Sequence, residues 1–108
     1  MANTFKNSFA KSVGTSASTV YTTPSQTQTT VIGMSIANTT ANNITVSVYV
    51  TSSAVDYYIV KDALILTGGA LVPVGGEQKL VLEATDSLKV VSSASSSADV
   101  ICSVLEIS

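Results

Sequence analysis

The stretch Thr19–Thr51, TVYTTPSQTQTTVIGMSIANTTANNITVSVYVT, decides the fold. Ile32, Met34 and Ile36 are apolar at every second position. Ile44, Val46, Val48 and Val50 repeat the pattern, with Thr45, Ser47 and Tyr49 between them. A period of two sets each apolar group on one face of a strand, and no helical period accounts for it. The polar run 37–43 joins the two groups, so the spacing predicts a β-hairpin with a loop of several residues. Residues 19–24, TVYTTP, read as a preceding strand. Pro24 ends it because proline has no N–H for the ladder, and residues 25–28 turn the chain.

The same grammar continues downstream. Residues 56–61, DYYIVK, form a short strand that residues 64–66 either continue or follow with another. Gly68–Gly69 is a turn, and Gly75–Gly76 is a second one. Pro73 makes ALVPV an edge strand or no strand. KLVLE and SLKVV flank residues 84–86 and read as a second hairpin, in which Leu80 and Leu82 face one way, as do Leu88 and Val90. After a small-residue loop at 92–98, the last strand covers residues 99–107. Val100, Cys102 and Val104 share one of its faces; Ile101, Leu105 and Ile107 share the other. Apolar residues on both faces predict a strand covered on both sides, one side being a place for another subunit.

About seven or eight short strands with turn signals between them describe an all-β protein. The expected architecture is an antiparallel β-sandwich of jelly-roll-like character over residues 16–108. Its expected core is Ile32, Met34, Ile36, Ile44, Val46, Val48, Val50, Leu80, Leu82, Leu88, Val90, Val100 and Val104. Residues 1–15 read as an N-terminal arm. Phe5, Phe9 and Val13 are four apart, which suits one face of a helix and also alternate positions of a strand; Ser, Asn and Gly14 weaken the helix. Two aromatic residues on a polar arm need an apolar surface, either this sandwich or a neighbour. Phe5, Phe9, Ile101, Leu105 and Ile107 are therefore the candidate assembly interface.

Composition narrows the function. The chain has 108 residues, of which 45% are hydrophobic and only 11% charged, with a net charge of -2. All five basic residues are lysines, so phosphate-neutralising arginine forks are missing and nucleic-acid binding is disfavoured. No apolar run approaches the ~20 residues that span a bilayer. The N-terminus does not read as a signal peptide, so synthesis in the cytoplasm without signal-peptide export is expected. With so little charge, the surface is weakly protected against association.

The sequence offers little catalytic chemistry. It contains no histidine, which removes the Ser–His–Asp triad, the Cys–His pair and most zinc sites. Cys102 is the single cysteine and sits in an apolar run, which fits a small buried hydrophobe better than a reactive thiol. The seven carboxylates Asp56, Asp62, Glu77, Glu83, Asp86, Asp99 and Glu106 show no spacing that selects a catalytic pair or a calcium loop. Asp86 reads as a turn residue. Glu106 reads as an ordinary exposed strand end, with an ion pair to a lysine as the alternative. No cofactor is expected. Tyr49, Tyr57 and Tyr58 are candidates for a platform on which a sugar stacks; cross-strand packing is the competing reading.

The segments YTTPS (21–25), TTVIGMSIANTT (29–40), ITVSVYV (44–50) and PVGGEQKLVLEATDSLKV (73–90) together resemble small structural proteins of tailed bacteriophages. The resemblance covers most of the chain beyond residue 15. Those proteins have Gly after the Pro where this chain has Ser25. The resemblance implies a β-sandwich in the virion, partnered by other capsid, neck or tail proteins and by copies of itself. It implies a capsid decoration or cement protein, or a neck (collar) component. The alternative is a tail-fibre or tail-associated module that binds a receptor or glycan. It carries over no catalytic residue.

Overall fold

A computed structural model of the chain describes residues 3–75 and 79–108. The strands are β1 (Asn3–Val13), β2 (Ser18–Thr22), β3 (Gln28–Asn38), β4 (Ile44–Ser52), β5 (Val55–Ile65), β6 (Ala70–Val74), β7 (Leu80–Leu82), β8 (Ser87–Ser92) and β9 (Ala98–Ile107). The first sheet runs β1-β9-β3-β6, with β7 also on β3; the second runs β2-β8-β4-β5. β7 pairs with Thr29–Val31 and β6 with Met34–Ala37, so the two lie end to end along one strand line. Four strand lines face four, and the chain changes sheet at most connections. This is jelly-roll order, and the expected all-β sandwich is what forms.

Neither predicted hairpin exists. β3 pairs with β9, β6 and β7, while β4 pairs with β5 and β8. β7 and β8 likewise lie in different sheets. A strand that is apolar on one face can bury it by facing its chain neighbour across the core as well as by a third element, and here the loops act as corners. Asn38 holds the first corner: its Nδ2 donates to the carbonyls of Asn42 (2.8 Å) and Ile65 (3.1 Å), and its Oδ1 accepts from the Thr40 amide (2.9 Å). Asp86 holds the second as a turn residue, its carboxylate accepting the Glu83 amide at 3.0 Å.

A hairpin does form between β4 and β5, with Ser52 opposite Val55. Its two-residue connection, Ser53 and Ala54, has positive φ at both positions (50° and 64°), as a type I′ turn requires. At the far end of β5 the Gly69 amide donates to the Leu66 carbonyl (2.8 Å), and Gly68 takes φ 74°, where an L side chain would be strained. Pro73 lies in β6, at the edge of the first sheet. Gly76 of the second expected turn lies outside the described residues.

The core fills the space between the sheets. Val31, Met34, Ile36, Val100, Cys102 and Val104 from the first sheet meet Ile44, Val46, Val48, Leu88 and Val90 from the second. Val13, Val20, Tyr21, Ile65, Val74, Leu82 and Ala98 complete it. Three expected members fall short. Val50 and Leu80 are half-buried at its margin. Ile32 leaves the core because β3 bulges there: Val31 pairs with Val104 and Gly33 with Ser103, so Ile32 has no opposite number. The bulge hands the core position to Val31 and turns Ile32 away.

Within the segment read as an arm, Asn3–Val13 form the edge strand β1. It is paired with β9 from Asn3↔Ile107 to Ala10↔Val100, and the register breaks before Val13. Apart from Val13, β1 buries almost nothing. It is held by its backbone ladder and by a few polar side chains.

Candidate functional site

Strand register gathers the five residues proposed for assembly onto one surface. Pairing sets Phe5 beside Leu105, Phe9 beside Ile101 and Asn3 beside Ile107. Leu105 continues to Thr30 of β3, which continues to Val81 of β7. In an antiparallel sheet, directly opposed residues share a face, so all of these point away from the core. Phe5 is 74% exposed, Phe9 66% and Ile101 53%. Leu105 and Ile107, in a strand flanked on both sides, are half-buried. The phenylalanines do not pack into this sandwich. Val81 also belongs to this face and is 63% exposed; the sequence did not flag it, because the Leu80–Leu82 alternation drew notice to its neighbours.

Among the outward-facing residues of the rows from Asn3 to Phe9, none is charged; Lys6 and Glu106 occupy the alternate rows, which face the other way. Charge stands at the margins. Lys11 and Asp99 form an ion pair (3.2 Å) beyond Phe9, and the Ser12 amide donates to Asp99 (2.9 Å). That amide first, and Lys11 second, hold the Asp99 carboxyl below its ordinary pKa. Glu83 and Lys79 flank the other side, next to β7. In the middle of the face the small side chain of Ser103, which donates to Asn7 Oδ1 (2.8 Å), floors a hollow of about 290 Å³. Phe5 and the bulged Ile32 stand on either side of it, and Lys6 also lines it.

β1 is tied to the body through Glu106, which is 8% exposed and so not the ordinary strand end expected. Glu106 Oε1 pairs with Lys6 of β1 at 3.1 Å. Its Oε2 accepts the Tyr21 hydroxyl of β2 at 2.5 Å, and the same hydroxyl meets Thr29 Oγ1 of β3 at 2.9 Å. Four strands from both sheets therefore converge on one carboxylate. The Tyr21 hydrogen bond, supported by Lys6, holds Glu106 below its ordinary pKa against the opposing effect of burial. Burial and the same hydrogen bond push the Tyr21 hydroxyl up to about 12. Ser8 adds a hydrogen bond from β1 to the Val20 carbonyl. No spacing rule could have found this network, since its members lie far apart in the chain.

The three tyrosines do not form a platform. Tyr49 pairs with Tyr58 across β4 and β5, their ring centroids 5.0 Å apart and tilted by 40°. Tyr49 is 8% exposed, and Lys61 Nζ lies 5.0 Å from the centre of the Tyr58 ring. Tyr57 pairs with Val50 and so points to the opposite face of β5. Cross-strand packing accounts for Tyr49 and Tyr58.

The remaining reactive groups serve structure. The Cys102 side chain is fully buried in the core, and burial pushes its thiol up to about 11. Asp56 accepts from Thr51 (2.7 Å), and the Asp62 amide donates to Ser47 Oγ (2.9 Å). Glu77 lies outside the described residues. Among the described residues no cluster of three His, Cys, Asp or Glu could hold a metal ion, and no helix is long and apolar enough to cross a membrane. A wider groove of about 430 Å³ at the end of the sandwich is lined by residues 26–28, Glu83, Ala84, Ile107 and Ser108, and gathers one side-chain carboxylate.

No family model and no curated protein matches the chain. Solved structures do. A Bacillus endospore appendage, described as a family of disulfide-linked pili, is similar at 13% identity and a TM-score of 0.59, over 98% of this chain and 88% of that one. A chain of the T13 viral particle of infectious bursal disease virus is similar at 12% identity and 0.58, over 96% of this chain and 30% of that one. The Gx strain of the same virus gives 9% and 0.53, over 98% and 33%. The chain thus spans about a third of the viral chains. At these identities the likeness is one of fold, a jelly roll shared with subunits of a pilus and of viral particles.

Proposed function

We propose that this chain is a non-enzymatic structural protein of a tailed-bacteriophage virion, a capsid decoration or neck subunit assembled as a homo-oligomer with other virion proteins as neighbours. One observation carries the reading: Phe5, Phe9, Ile101 and Val81 are exposed together on one sheet face, with no charge among the outward-facing residues of the paired rows. A large apolar surface of this kind on a small protein marks an interaction site. The resemblance to small phage structural proteins supplies the setting, and the jelly roll it shares with viral-particle chains agrees with it.

The pilus likeness covers more of its partner's chain, but that partner is described as disulfide-linked. Here the single cysteine is enclosed in the core and cannot reach another subunit without unfolding. The glycan-binding alternative needs an open aromatic platform, and Tyr49, Tyr57 and Tyr58 do not make one.

The test is to tag the protein in the phage that encodes it, purify particles on a density gradient and image them with a gold-labelled antibody. Label at fixed, symmetry-related positions on the head or neck is the expected result. Particles that form, infect and contain none of the protein would sink the reading. Label confined to fibre tips would favour the receptor-binding alternative.

A further inference from the structure

We infer that the outward face of the first sheet docks a second copy of this chain, sheet on sheet about a two-fold axis. The inference rests on the homo-oligomer reading above and names its contact. The first argument is size. Four strand lines at ~4.8 Å spacing, and eight consecutive β1–β9 pairs at ~3.4 Å each, make a face of roughly 19 by 27 Å. Side chains standing up from it raise its accessible area toward the ~800 Å² per partner of a standard interface.

The second argument is charge. A face that meets its own copy brings each charge close to an identical one unless it carries none, and the outward-facing rows here carry none. A partner of different chemistry would be steered by complementary charge, and the face offers none to steer with. What charge there is stands at the margins and is paired: Lys11 with Asp99, and Lys6, which lines the hollow, with Glu106. An apolar centre with aromatic residues inside a polar rim is the usual anatomy of a subunit interface.

The third argument is shape. In a two-fold contact every interaction occurs twice, so a projection and its receptacle must lie on the same face. Phe5 projects from β1, and beside it the small Ser103 and the bulged Ile32 leave a hollow. Phe5 of each copy enters the hollow of the other. The bulge at Ile32 is then a feature of the interface, because an unbulged β3 would send Ile32 into the core and leave that wall of the hollow lower.

Sedimentation of the full chain tests this, alongside Phe5→Glu/Phe9→Glu, Ser35→Lys in the middle of the same face, and Tyr58→Glu on the opposite sheet. Circular dichroism checks that each variant is folded. The expected result is a wild type whose mass is a multiple of the chain and a Tyr58→Glu protein that matches it. Phe5→Glu/Phe9→Glu and Ser35→Lys should lose the face-to-face contact, so their mass falls at least by half. A wild type that stays monomeric at high concentration overturns the inference, as does an oligomer that both face variants leave intact. Particle co-purification separates it from the virion reading. A monomer whose binding to particles is lost in the face variants shows that another virion protein covers the face. An oligomer that never reaches particles leaves the contact standing and removes the virion.

Discussion

The two outward faces of the sandwich are built from the same alternating strands and finished in opposite ways. On the second sheet, Tyr49 lies under Tyr58, Lys61 caps the Tyr58 ring, and Thr51 and Ser47 are bonded to Asp56 and Asp62. Its tyrosines pack on one another within the chain, although Leu64 on the same face is 61% exposed. On the first sheet, Phe5 and Phe9 rise from an edge strand with nothing of their own chain to cover them, and the outward-facing residues of their rows hold no charge. Exposure of a large apolar group is informative when neighbours of equal size and strand position are covered. The difference teaches that the second face surrounds its tyrosines with packing and charge, and that the first, which offers its phenylalanines neither, is the incomplete one.

The contrast disappears altogether if the shared core fails. Val46→Asp places an unpaired charge between the sheets, at a cost above ~4 kcal/mol, a large part of the stability of a small domain. Dichroism and urea melts should show an unfolded chain with neither face.

A smaller change should loosen the incomplete face alone. Tyr21→Phe removes the donor to Glu106 and leaves a buried carboxylate oxygen unsatisfied, at a cost of ~1–3 kcal/mol. Because Glu106 also holds Lys6, hydrogen exchange should rise in β1 more than in β5. Equal rises in both edges would show that the network does not anchor β1 in particular.

The same groups set the response to pH. Glu106 and Asp99 have lowered folded-state pKa values, so their stabilisation is complete above the ordinary carboxylate range and lost as pH falls through the folded values. Tyr21 is raised from 10.0 to about 12, so its contribution holds below pH 10 and fades as pH climbs toward 12. Thermal melts across pH should therefore fall off at both ends, and Tyr21→Phe should flatten the alkaline limb.

Cys102→Ala sharpens the comparison from within, since β9 carries the core on one side and the incomplete face on the other. It should cost about 1 kcal/mol or somewhat more and leave assembly intact. Loss of assembly with unchanged stability would assign the thiol a role of its own. The smallest effects belong to the faces themselves. In the isolated chain, Phe9→Ser and Tyr58→Ser should each change stability by no more than ~0.5 kcal/mol beyond the loss of local stacking. Only Phe9→Ser should alter the sedimenting mass.

Much of this protein is determined along the chain. Period-two alternation marks Ile44–Val50 and Val100–Val104 as strands with one core face, and Pro24 and Gly68 mark where strands stop. Alternation also set Ile101, Leu105 and Ile107 on the far side of β9 from the core. These are local properties, carried by side-chain direction and backbone freedom. Partnership is not local. An apolar strand face is satisfied equally by pairing with its chain neighbour or by facing it across the core, so the 37–43 loop that read as a hairpin is a corner. The true hairpin, β4 to β5, turns through Ser53–Ala54, which lacks the glycine or asparagine that usually announces positive φ. A bulge moved Ile32 from the core to the surface, since one extra residue reverses the phase of a strand. Residues 1–15 had no strong pattern, and Asn3–Val13 among them became β1 because β9 offered a ladder. Only closure of the sheets brought Lys6, Tyr21, Thr29 and Glu106 to one point and set Phe5 and Phe9 beside Ile101 and Leu105, because contacts between distant residues follow from topology and not from spacing.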